Sequence, residues 1–155
     1  MKVFIGGSIS IKHFGYMVTD ELDKIMDCNM EILIGDAYGI DSLVQEYLDA
    51  NWYWKVWVYA SEGKARNNVG KWTIKTINVP EGVYGREFYE QKDKAMAKDC
   101  DFGFMIWDGK SKGTLNNIKR LVDYGKICEV YIPHLQQLRK INCYNELEKL
   151  TEEAK

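Results

Sequence analysis

The chain has 155 residues, 46% of them hydrophobic and 28% charged. That is the make-up of one globular domain whose core needs no disulfide or metal staple. Lys plus Arg number 21 and Asp plus Glu 23, a formal net charge of −2. This balance argues against a dedicated duplex binder with a net basic face. No apolar run approaches the roughly 20 residues that span a bilayer. The opening Met-Lys-Val-Phe-Ile-Gly-Gly-Ser lacks the apolar stretch of a signal peptide, so a cytoplasmic protein is expected.

In chain order, a short apolar strand at 2–6 ends in Gly6-Gly7-Ser8. A helix at 16–28 carries Val18, Leu22, Ile25 and Met26 at helical spacing. Ile32-Leu33-Ile34 forms a buried strand that ends at Gly35, and a helix at 40–51 lines up Ile40, Leu43, Val44, Tyr47 and Leu48. A third strand covers 55–60. The stretch 61–85 is a long glycine- and asparagine-bearing loop with room for a short strand at 72–79; loops of this length are often functional. Then come a helix at 86–99, a strand at 101–107, a turn at 108–113, a helix at 114–124, a strand at 128–133 and a charge-rich helix at 142–152. Strands alternating with amphipathic helices imply an α/β fold with a parallel sheet covered on both faces. One domain over 1–155 is expected, with 134–155 as its helical appendage.

Cys28, Cys100, Cys128 and Cys143 form no C-x-x-C pair, and four free, mostly buried thiols are expected. His13 and His134 have no metal-ligand spacing. Neither a metal nor a cofactor is implied.

In parallel α/β sheets ligands bind beyond the carboxyl ends of the strands. Three turns there carry chemistry. Gly6-Gly7-Ser8 permits close backbone approach and adds a hydroxyl before a helix N-terminus. It fits neither G-x-G-x-x-G nor a Walker motif. Gly35-Asp36-Ala37-Tyr38-Gly39-Ile40-Asp41 offers two acids that either cap the next helix or contact a ligand. Asp108-Gly109-Lys110-Ser111-Lys112-Gly113-Thr114 sets glycines, hydroxyls and lysines at another helix N-terminus, a phosphate-binding composition. Tyr38 and Trp107, at these turns, are the candidates for base stacking. The dense aromatics Trp52, Tyr53, Trp54, Trp57 and Tyr59 read as packing or a subunit interface.

Together and in this order, these turns resemble the SLOG superfamily of Rossmann-like nucleotide-binding proteins. The resemblance covers roughly 1–133. Gly-x-Ala-x-Gly-Ile-Asp at 35–41 also looks like the matching turn of bacterial DNA-processing proteins. The resemblance implies a five-stranded parallel sheet of order 3-2-1-4-5, a Rossmann-like three-layer sandwich, with the first and fourth turns meeting around the ligand. It also brings in the cytokinin-activating phosphoribohydrolases, whose motif is Pro-Gly-Gly-x-Gly-Thr followed by a catalytic glutamate. Here Gly113-Thr114 stand, but no Pro-Gly-Gly precedes them and Asn117 takes the glutamate's place. An amide is no general base. The family's arginine aligns with Lys92, with Arg86 nearby. Nucleoside 2-deoxyribosyltransferases, also similar, need an acidic nucleophile; Asp36, Asp41, Asp108 and Glu87 are the acids available.

Three functions follow. The first is binding of a nucleotide or ADP-ribose-like molecule without turnover, by a sensor or sequestering protein that forms a homo-oligomer. Its binding residues would be Gly6, Gly7, Ser8, Gly35, Asp36, Ala37, Tyr38, Gly39, Arg86, Lys92, Trp107, Asp108, Gly109, Ser111, Gly113 and Thr114. The second is N-glycosidic chemistry with Asp36, Asp41 or Asp108 as the carboxylate. The third is single-stranded nucleic-acid binding along Lys110, Lys112, Lys119, Arg120 and Lys126, which the net charge makes an unlikely partner.

Overall fold

The computed structural model describes Met1–Lys155. Its elements run β1 (Lys2–Gly7), α1 (Tyr16–Asp27), β2 (Glu31–Ile34), α2 (Ile40–Ala50), β3 (Val56–Ser61), β4 (Thr73–Ile77), α3 (Arg86–Asp99), β5 (Phe102–Ile106), α4 (Lys112–Asp123), β6 (Cys128–Ile132), β7 (Gln137–Ile141) and α5 (Tyr144–Glu153). One sheet holds all seven strands in the order β4-β3-β2-β1-β5-β6-β7. Every pairing is parallel except β6 with β7.

Strand alternation sends successive side chains to opposite faces. Val3 and Ile5 of β1, with Ile32 and Ile34 of β2, join Val18, Leu22 and Ile25 of α1 and Ile40, Val44 and Leu48 of α2 in one buried cluster. Phe4, Leu33 and Met105 join Met96 of α3, Ile118 and Leu121 of α4, and Leu147 and Leu150 of α5 in the other. The sandwich is thus α1 and α2, sheet, then α3, α4 and α5.

The five strands read from sequence are the central five, in the order that the resemblance implied. The count of five is corrected to seven. The added strands sit at the two edges, where one or both faces meet water and no apolar run is needed. β4 is Thr-Ile-Lys-Thr-Ile with four of its five residues exposed. It lies in the long stretch 61–85, within the 72–79 span where a short strand was allowed but not counted in the sheet. β7 is Gln-Leu-Arg-Lys-Ile. It turns back from β6 through residues 133–136 and lies inside the segment expected to be only helical.

The β3–β4 connection contains no helix and is tied down by side chains instead. Gln45 of α2, fully buried, donates Nε2 to the Gly35 and Asn67 carbonyls and accepts the Val69 N–H. Among the thiols, Cys100 and Cys128 are buried but Cys28 and Cys143 are exposed. Trp52 and Trp54 face outward, 89% and 74% exposed. No helix is long and apolar enough to cross a membrane.

Candidate functional site

The strand order reverses between β1 and β5, and the carboxyl ends of these two strands carry the first and third of the distinctive turns. Ser8, just past β1, is buried and bonds across the gap. Its Oγ accepts the Asp108 N–H at 3.1 Å and lies 3.3 Å from Thr114 Oγ1. Thr114 Oγ1 is in turn 3.3 Å from Ser111 Oγ. Three hydroxyls therefore form a chain at the start of α4. The first intrahelical bond of α4 runs from the Leu115 N–H to the Ser111 carbonyl. The N–H groups of Lys112, Gly113 and Thr114 precede it and are the free donors of a helix start. A Cβ at Gly113 would meet nothing within 4 Å, and Lys112, Gly113 and Thr114 all line the open cleft described below.

The acid of this turn is an anchor. Asp108 Oδ1 accepts the Lys110 and Ser111 N–H groups at 2.9 and 2.7 Å, and Oδ2 accepts the Ser10 hydroxyl at 2.6 Å. Burial raises its pKa, but the Ser10, Ser111, Lys110 and Ser8 donors outweigh burial and leave it below the ordinary carboxylate value. Asp108 is thus a committed anion that shapes the turn. Trp107 is 1% exposed and donates Nε1–H to the Ser111 carbonyl, so it offers no stacking face. Gly109, with φ of 80°, packs against the carbonyl of Ala154 at the end of α5.

Between the β1–β5 switch point and α3 lies a cleft of about 540 Å³ lined by eighteen residues. Gly6, Gly7, Ala37, Asp41, Arg86, Lys92, Ser111, Gly113 and Thr114, all singled out from sequence, line it. Ser8, Gly35, Asp36, Gly39, Trp107, Asp108 and Gly109 do not line it. Tyr38, 64% exposed, lies outside it. Gly39 has φ of 77°, and a Cβ there would fall 2.6 Å from the Ile9 backbone; its role is to let two turns touch.

The opposite wall is charged. Asp36, 3% exposed, accepts the Arg66 N–H at 2.9 Å and its Nη2 at 2.8 Å. Arg66 also stacks on the Tyr89 ring at 4.0 Å. Burial lowers the Arg66 pKa, and the Asp36 contact outweighs it and raises it. Lys92, 4% exposed, pairs with Asp93 at 2.8 Å. Burial works against its charge, and Asp93 and Asp41 more than restore it. A Cβ at Gly35 would fall 2.7 Å from Asp41 Oδ2 and 3.0 Å from Lys92 Nζ; the glycine makes room for both groups. Burial pushes Asp41 up to about 7; Lys92 opposes this, Asp93 adds to it, the Ala37 N–H opposes and Asp36 adds.

Arg66, Tyr89, Glu90 and Asp93 of the lining escaped the sequence reading. Only the position of Arg66 after β3, at the ligand-bearing edge of the sheet, gave a signal. The remaining three lie on a helix whose charged surface looks solvated when read alone.

The sequence matches no protein-family model and no curated protein. Among solved structures the fold is similar to DNA processing protein A from Helicobacter pylori, at 20% identity and a TM-score of 0.67. The match covers 97% of this chain and 73% of that one, and that protein binds single-stranded DNA. The expectation that nucleic acid is an unlikely partner is therefore corrected. It rested on net charge, and net charge does not exclude nucleic-acid binding for a chain of this fold. Cations held at one edge of the sheet are invisible in a whole-chain sum.

Proposed function

We propose that the cleft binds a nucleotide through its phosphate, in a SLOG-type site, with the nucleotide either free or a unit of a single strand. The observation that carries this is the open start of α4. Three free N–H groups and the Ser111 and Thr114 hydroxyls stand together at this helix start, and nothing occupies the space a side chain at Gly113 would take. A helix start of this kind favours an anion through its donors and its dipole. Lys112 and Arg86 add positive charge at the same mouth. The Gly6-Gly7 turn of β1 borders the space, and Tyr89 offers a ring on the far side.

The test is calorimetric titration with adenosine 5′-monophosphate in one arm and octadeoxythymidylate in the other. Saturable binding in either arm, weakened at least about tenfold by Gly113→Val, supports the reading and separates free from polymeric ligand. A tenfold loss is about 1.4 kcal/mol. Absence of saturable binding in both arms refutes it.

A second reading, N-glycosidic cleavage, is favoured by one observation: the cleft holds a carboxyl, Asp41, that titrates at about 7. A group near neutrality can donate a proton to a departing base and take one back. Release of free base from adenosine 5′-monophosphate, followed by chromatography and lost in Asp41→Asn, would establish it.

A further inference from the structure

Four acids face the cleft or stand at its wall, and three have a cation. Asp36 has Arg66 at 2.8 Å, Asp93 has Lys92 at 2.8 Å and Glu90 has Arg120 at 3.6 Å. Asp41 makes no ion pair. Its one hydrogen bond comes from the Ala37 N–H to Oδ2 at 3.1 Å. No buried side-chain oxygen in the protein lacks a partner, so Oδ1, which has none, is not buried. The residue is 7% exposed and lines the cleft, so that opening is where Oδ1 emerges.

This arrangement fixes where a proton goes. Oδ2 is occupied as an acceptor, so a neutral Asp41 carries its proton on Oδ1 and presents an O–H donor to the cleft. The groups facing it are Lys92 and Asp93 from α3 and Asp36 from the turn after β2, with Arg66 bound to Asp36 from the β3–β4 connection. β1 brings only Gly6 and Gly7 to this cleft beyond Phe4. With Asp41 ionised these five groups hold three aspartates against two cations, and an acceptor atom brought to Asp41 meets net negative charge; with Asp41 neutral the five are balanced. The cleft's other charges are Arg86, Lys112 and the Glu90–Arg120 pair.

Position along the sheet says which part of a ligand it meets. The order is β2-β1-β5, and neighbouring strands are about 4.8 Å apart. The end of β2 thus lies about 10 Å, two strand spacings, from the end of β5, where α4 begins. Asp41 Oδ2 lies 2.7 Å from where a Cβ of Gly35, the residue after β2, would stand, so with a phosphate at α4 the carboxyl is on the nucleoside side of the cleft.

We propose that Asp41 is a proton-dependent specificity residue of this cleft: through an O–H at Oδ1 it binds an acceptor atom on the base side of the nucleotide, and as a carboxylate it repels that atom. The inference rests on the nucleotide reading above. Ligand binding then draws a proton onto Asp41, and affinity falls as the carboxyl ionises.

The experiment measures affinity for octadeoxythymidylate and for adenosine 5′-monophosphate at pH 6.0, 7.0 and 8.5, as orders of magnitude set by single-proton linkage. Octadeoxythymidylate with free hydroxyl ends holds a constant phosphodiester charge over this range. For the probe that binds, affinity should drop about tenfold or more from the lowest to the highest pH, since one proton gives at most about tenfold per pH unit. Asp41→Asn keeps a donor and no charge, and should hold the low-pH affinity throughout. In the wild-type protein, a carbon-detected titration of the Asp41 carboxyl should show a midpoint that the bound probe raises. Identical pH profiles in wild type and variant, or a midpoint that the probe lowers or leaves in place, overturn the inference and leave the nucleotide reading standing. No binding of either probe at any pH overturns both.

Discussion

The two walls of the cleft are built from different materials. The β1–β5–α4 wall is made of backbone N–H groups, glycines and hydroxyls, with Lys112 at its mouth, and its acid, Asp108, is spent on holding its own turn. The β2–α3 wall is made of buried charges that come from elements distant in sequence: Asp36 with Arg66, Lys92 with Asp93, and Asp41 without a cation. A wall of the first kind recognises by shape and by donors fixed in place. A wall of the second kind depends on a balance of charges, and one proton changes it.

The largest effect that separates the walls is expected from Asp41. Its folded pKa of about 7 lies above the ordinary 3.8, so folding favours the neutral form. The stability this contributes is complete below about pH 4 and is lost as the pH rises to about 7. The full swing is on the order of 4 kcal/mol, at about 1.4 kcal/mol per unit. Asp41→Asn cannot ionise. Denaturant melts of both proteins should show the variant gaining on the wild type from pH 4 to pH 8. A constant gap between them would mean that the charged wall relaxes or hydrates around Asp41.

Asp36→Ala should come next. It removes two acceptor contacts to Arg66 and leaves a guanidinium whose side chain is only 31% exposed. Breaking such a pair costs roughly 3 kcal/mol, with partial access to water holding it to the lower end of the buried-pair range. The melting temperature should fall by roughly 6–12 °C for a domain of this size. The β3–β4 connection should also become a site of early proteolysis, because Asp36 anchors it.

The neutral wall was legible in sequence and the charged wall was not, for a physical reason. A turn such as 108–114 is made by residues adjacent in the chain, and its glycines and hydroxyls announce its backbone geometry. The meeting of Ser8 with Thr114 followed from topology, since parallel strands that flank the switch point bring their turns together. Arg66 and Asp36, by contrast, pair across 30 residues and Tyr89 closes the stack from α3. Nothing local to any of the three signals the others. The central five strands were legible because burial on both faces demands continuous apolar runs. β4 and β7 were not counted because an edge strand needs only a partner for its backbone on one side. Trp107 misled for a related reason: a turn position says nothing about whether a ring points into the core.

The smallest effect on stability should come from Gly113→Ala, and it is the sharpest test of the neutral wall. A Cβ there meets nothing within 4 Å, so the protein has no packing reason to keep a glycine. The position lies in the first turn of α4, where alanine is favoured over glycine by up to about 1 kcal/mol. The variant should therefore melt at the same temperature as the wild type or slightly above it. If the phosphate sits at this helix start, a methyl group on Gly113 crowds its approach. Binding of a nucleotide probe should weaken while stability holds or rises. Gly7→Ala supplies the contrast, because its Cβ would fall 2.4 Å from the Ile106 carbonyl oxygen and 2.8 Å from Ile40. Overpacking of that kind costs about 1–3 kcal/mol. If Gly113→Ala bound the probe as well as the wild type did, the start of α4 would not be where the phosphate sits, and the glycine would have to be explained by the folding of the turn alone.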